Sequence, residues 1–109
     1  MDNQELYDIT IIGAGPTGLF GAFYAGMRRL KTKIIEALPE PGGQLGVLYP
    51  EKLIYDAPGY YEVKAKDLTR ELVRQIMRFP ITLCFEERVE ALERLEDNTI
   101  AVQTNKTRH

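Results

Sequence analysis

Tryptophan is absent, cysteine and histidine occur once each, and no apolar run is long. A single cysteine, Cys84, cannot close an internal disulfide, and it supplies neither a Cys-x-x-Cys redox pair nor a metal cluster. No apolar stretch approaches the roughly 20 residues needed to cross a bilayer. A basic surplus is missing too: fourteen Lys+Arg stand against sixteen Asp+Glu, a formal net charge of −2. Non-specific binding to nucleic acid needs such a surplus to displace phosphate counterions. The opening Met1-Asp2-Asn3-Gln4-Glu5 is acidic and polar, the opposite of a secretory n-region. These absences leave a chain expected in the cytoplasm, with no nucleic-acid or membrane partner.

What is present fits one small globular unit. The 109 residues are 44% apolar and 28% charged, enough to bury one core with a modest margin. Tyr7 to Ile12 is a short β-branched run that stops at Gly13, as a buried strand does. A helix follows from the Gly-Pro turn to Leu30. Leu19, Phe20, Phe23, Met27 and Leu30 recur at helical spacing, and Pro16 suits a first turn. Gly18, Gly21, Ala22 and Ala25 are small enough to let that helix lie close on a sheet, while Arg28, Arg29 and Lys31 read as its solvated, dipole-favoured end.

Lys33 to Glu36 is a second strand ending in an acid. Residues 44–61 carry tyrosines and prolines without a period and read as a long ordered connection, a kind of segment that is commonly functional. Ala65, Leu68, Leu72, Ile76 and Phe79 make one stripe of a second helix, stopped by Pro80. Ile81 to Phe85 is a third strand. The tail from Arg88 alternates around a turn at Glu96-Asp97-Asn98, as an antiparallel hairpin does. Cys84 is expected to be a buried, inert thiol, and His109 a disordered last residue. The order predicts an α/β, Rossmann-like fold: three parallel strands with crossover helices, then the start of an antiparallel β-meander, in a domain over 1–109 that is incomplete.

The chemistry concentrates in Gly13-Ala14-Gly15-Pro16-Thr17-Gly18. Alone, a Gly-x-Gly-x-x-Gly is weak; here it follows a strand, opens a helix and precedes an acid at the end of the next strand. Gly13 permits the tight turn, Gly15 lets a pyrophosphate approach the backbone, and Gly18 lets helix pack on strand. The helix dipole, roughly +0.5 charge at that end, faces the phosphates. Glu36 lies 18 residues beyond Gly18, where a carboxylate accepts both ribose hydroxyls of an adenosine and repels a 2′-phosphate. The pattern predicts a site for an ADP moiety without distinguishing FAD from NAD.

Further residues bear on that choice. Pro41-Gly42-Gly43-Gln44-Leu45, with Tyr49-Pro50-Glu51-Lys52 and Ile54-Tyr55-Asp56, resembles the flavin-binding half of the thioredoxin-reductase-like (type 2) ferredoxin–NADP(+) reductases, a family of bacterial flavoproteins. The resemblance runs from Tyr7-Asp8-Ile9-Thr10 through Phe20-x-x-Phe23-Tyr24 to Phe79-Pro80 and Leu83-Cys84. It implies FAD as cofactor, with Thr17 on the pyrophosphate, Glu36 on the adenosine ribose, Gln44 near the flavin ring or ribityl chain, Tyr49 beside the isoalloxazine, and Val89 meeting the adenine edge. Tyr55 and Asp56 are read as ordinary loop packing.

The resemblance also implies what lies outside this chain: an inserted NADPH-binding domain and a return segment completing the flavin site. The implied parent activity moves electrons between NADPH and a ferredoxin or flavodoxin. This chain offers no acid, base, nucleophile or metal ligand and is expected to be inactive alone. With the first strand left at an open edge, self-association, such as a homodimer, is expected. Two other readings stay open: the flavin half of a thioredoxin-reductase-type disulfide reductase, and a non-enzymatic nucleotide-binding or assembly module.

Overall fold

The computed structural model describes residues 5–109, apart from the side chains of residues 44 and 45. The elements in chain order are β1 (Ile9–Ile12), α1 (Pro16–Met27), β2 (Thr32–Ile35), α2 (Gly43–Leu48), β3 (Leu53–Ile54), β4 (Val63–Lys64), α3 (Ala65–Ile76), β5 (Thr82–Cys84), β6 (Val89–Arg94) and β7 (Ile100–Thr104). The central sheet is parallel in the order β1-β2-β5. Ile11 lies opposite Ile34 and Ile12 opposite Ile35, while Ile34 and Ile35 face Leu83 and Cys84 on the other side.

Both crossovers step in the same direction along this sheet, so right-handed connections put α1 and α3 on one face. The core sits there. Ala14, Leu19, Ala22, Ile34 and Ile76 are buried together, with Ile11, Phe23, Leu72, Val73, Ile81 and Leu83 packed around them. β2 is the middle strand and all four of its residues are buried. Its pleat sends Ile34 to the helices and Lys33 and Ile35 to the opposite face, where the antiparallel β6–β7 hairpin lies. A cleft of about 700 Å³ opens on that face, lined by Thr10, Ile12, Lys33, Leu92, Val102 and His109.

The parallel strands, both helices and the hairpin match the expected Rossmann-like pattern. Three readings need correction. α1 stops at Met27 rather than Leu30, and its buried residues are Leu19, Ala22, Ala25 and Gly26, so the small residues do lie against the sheet as expected while Phe20 and Met27 are exposed. Close approach is the reason. A Cβ on Gly26 would lie 2.4 Å from Phe79 Cδ2, and one on Gly18 would lie 2.1 Å from the Gly13 carbonyl oxygen.

Residues 44–61 are not wholly irregular either. They contain most of α2, and β3, which pairs antiparallel with β4 through Leu53–Lys64 and Ile54–Val63. Such short elements have too few residues to show a period. Finally, His109 is not a loose end. Its backbone N–H donates to Val102 O (2.8 Å), its carbonyl accepts from Val102 N–H (2.9 Å), and its side chain is 5% exposed. Among the described residues no helix is long and apolar enough to cross a membrane.

Candidate functional site: a glycine turn braced by a carboxylate

The turn between β1 and α1 is held from two sides. Gly13 N–H donates to Ile35 O (2.8 Å), and Ala14 O accepts from Gly42 N–H (2.7 Å), so both β2 and the Pro-Gly-Gly loop dock on it. Gly13 has φ +106°, a conformation that side-chain-bearing residues rarely adopt. Gly15 is the residue before α1, and no side chain caps the helix there. The first N–H groups of a helix have no intrahelical partner, and among the described residues no side chain at the N-cap takes them.

Gly15 differs from Gly18 in what surrounds it. A Cβ on Gly15 would meet only Gly43 Cα at 3.8 Å. Nothing among the described residues therefore requires glycine at that position, whereas a phosphate approaching the helix start would. That space and the uncapped helix start fit an anion such as the pyrophosphate of FAD.

Glu36 follows β2 and is 7% exposed. Its Oε1 accepts from Ala14 N–H (2.7 Å) and its Oε2 from Leu38 N–H (2.8 Å). The backbone of the same residue is a junction: its N–H donates to Cys84 O (2.8 Å) and its carbonyl accepts from Glu87 N–H (3.0 Å). Each carboxylate oxygen has a second lone pair for a hydroxyl donor. The solvated strand-end acid that sequence alone would allow is thus a buried brace tying the glycine turn to β2, and it still has acceptor capacity to spare.

The other expected residues fall into two groups. Gly13, Gly15, Gly18 and Glu36 converge on one turn. Thr17 is exposed and lines a groove of about 1020 Å³ that runs past Phe20 to Asp56, Tyr60 and Leu72. Asp56, set aside in the sequence as loop packing, therefore shares a groove with Thr17. Tyr49 is 60% exposed just after α2. Val89 is half-buried at the start of β6, opposite Thr104. The side chain of Gln44 lies outside the described residues.

A second polar cluster had no signal in the sequence. Lys33 Nζ is 2.8 Å from His109 Nδ1 and 4.2 Å from the Tyr7 ring centroid. The lysine is 1% exposed, and its burial pushes its ammonium below the usual lysine range. His109 Nε2 is 2.9 Å from Glu87 Oε1, which also accepts from the Thr104 hydroxyl (2.9 Å). An ammonium donating to Nδ1 leaves the ring proton on Nε2, where it donates to Glu87. Burial raises the Glu87 carboxyl, but hydrogen bonds from His109, Thr104 and Cys84 outweigh it and hold the group below its ordinary value. Cys84 is half-buried rather than buried, and burial, then the Glu87 charge, pushes its thiol up.

No family model matches the chain. It is 55% identical over 108 residues to ferredoxin–NADP reductase 2 of Bacillus cytotoxicus, covering 99% of this chain and 33% of that protein. It is 54% identical over 106 residues to ferredoxin–NADP reductase of Halalkalibacterium halodurans, covering 97% and 32%. Among solved structures, thioredoxin reductase from Streptococcus pyogenes superposes with a TM-score of 0.82 at 29% identity, covering 94% of this chain and 32% of that one. Lactococcus lactis thioredoxin reductase gives 0.82 at 25%, covering 95% and 32%. The chain thus spans about one third of the curated relatives it matches. In sequence and fold it matches the FAD-binding half of the thioredoxin-reductase-like ferredoxin–NADP reductases.

Proposed function

We propose that this chain is the FAD-binding part of a flavoprotein oxidoreductase that moves electrons between NADPH and a ferredoxin or flavodoxin in the cytoplasm. The observation that carries the reading is the glycine turn: an uncapped helix start beside open space at Gly15, with the Glu36 carboxylate 2.7 Å from the Ala14 N–H. The pyrophosphate would lie on the N–H groups of the turn and on Thr17. The adenosine ribose hydroxyls would donate to Glu36, and Val89 would present its backbone to the adenine edge. Gln44 and Tyr49 would meet the flavin end.

FAD, when bound, supplies exchange between a two-electron nicotinamide donor and one-electron carriers. This chain's residues bind and orient it. The NADPH site belongs to sequence outside residues 1–109, so the chain alone is expected to bind FAD without turning over. The 54–55% identity to ferredoxin–NADP reductases supports this acceptor class. The superposition on thioredoxin reductases favours a second reading, the flavin half of a disulfide reductase.

Titration of the chain with FAD, followed by flavin fluorescence, tests the site. Saturable binding is expected, and Gly15→Val is expected to abolish it while far-UV circular dichroism stays unchanged. A folded Gly15→Val chain that keeps full affinity would remove the turn from the site.

A further inference from the structure

The Cys84–Glu87–His109 cluster lies outside the glycine turn and carries three different metal-donor atoms. The Cys84 thiol sulfur, a Glu87 carboxylate oxygen and a His109 ring nitrogen all lie within 4.8 Å of one another. They come from β5, the turn after it, and the segment beyond β7 that folds back on Val102. We propose that Cys84, Glu87 and His109 form a three-donor site for a zinc-class divalent ion, with the fourth position open to water.

Sulfur, nitrogen and carboxylate oxygen are the donors zinc takes, at about 2.3, 2.0–2.1 and 2.0–2.2 Å. Tetrahedral bonds of those lengths put donors about 3.3–3.6 Å apart. Reaching that arrangement needs inward shifts of about 1 Å at most, and a slight opening of the 2.9 Å Nε2···Oε1 pair. The side chains of His109 and Glu87 are 5% and 12% exposed, so little water competes for them.

One outer-shell contact is in place, the Thr104 hydroxyl on Glu87, and Lys33 becomes a second once its proton has passed to Nδ1. Lys33 Nζ holds the ring from its far nitrogen at 2.8 Å, and the Thr104 hydroxyl bonds Glu87 Oε1 at 2.9 Å. Such contacts orient ligands and set their basicity.

The exchange of protons for metal balances. The thiol proton and the His109 Nε2 proton leave to solvent as the metal–sulfur and metal–nitrogen bonds form. Nδ1 takes the proton it shares with Lys33, which becomes a neutral amine accepting from Nδ1–H. Before the exchange the cluster holds one lysine cation and one glutamate anion. Afterwards a dication stands beside a thiolate and a carboxylate.

Titrating chelator-treated chain with Co²⁺ alone tests this without any flavin. The expected result is a near-ultraviolet thiolate-to-cobalt charge-transfer band that saturates at one equivalent and is displaced by Zn²⁺. Cys84→Ser is expected to lose the band, and His109→Gln to weaken binding by about tenfold or more. No band in the unsubstituted chain overturns the site, as does a band that survives Cys84→Ser. The first of these outcomes depends on no variant folding.

Discussion

At Glu36 both carboxylate oxygens already accept backbone N–H groups, from Ala14 and Leu38. The residue therefore acts before any nucleotide arrives. Replacing it with alanine leaves two N–H groups without their acceptor, at about 1–3 kcal/mol each where they are buried. Urea unfolding of Glu36→Ala without FAD is expected to show a loss of about 2–6 kcal/mol. A purely ligand-binding carboxylate would show almost none. The residues legible in the sequence here were those with a local job, Gly13, Gly15 and Gly18 in one turn. Lys33 and His109 were not legible, because a lysine in a strand and a terminal histidine look solvated until the fold brings them within 2.8 Å.

Two elements give sharper tests of packing and charge. In α1, Gly26→Ala gains up to about 1 kcal/mol of helix propensity but drives a methyl to within 2.4 Å of the Phe79 ring. That ring also packs on Phe23, with centroids 5.8 Å apart. Overpacking typically costs about 1–3 kcal/mol, so a net lowering of the thermal midpoint is expected by calorimetry.

In the β6–β7 turn, hydrogen bonds from the Thr99 side chain and backbone hold the Asp97 carboxyl below its usual range. A depressed carboxyl contributes stability that is present above its unfolded pKa and lost as pH falls through the folded value. Asp97→Asn is therefore expected to flatten the loss of hairpin amide protection below about pH 4, read by hydrogen exchange at Thr99. The hairpin itself was legible from its alternation. The helix α2 and the β3–β4 pair were not, because six- and two-residue elements carry no period and depend on what they pack against.

For the whole molecule, the sheet order leaves β1 paired on one side only among the described residues. Ile9 and Ile12 on it are 38% and 54% exposed. An unpaired edge invites another strand, so light scattering across a concentration series is expected to show a rising apparent mass. A constant monomer mass would show that the edge is protected. The other face of the sheet has a different consequence. β2 runs Thr32, Lys33, Ile34, Ile35 with every position enclosed. Sliding that strand by one residue would drive an ammonium among the leucines and isoleucines under the helices, and strand an isoleucine beside Glu87 and the imidazole. A misaligned sheet is thereby penalised twice over, and the lysine serves as the chain's alignment key.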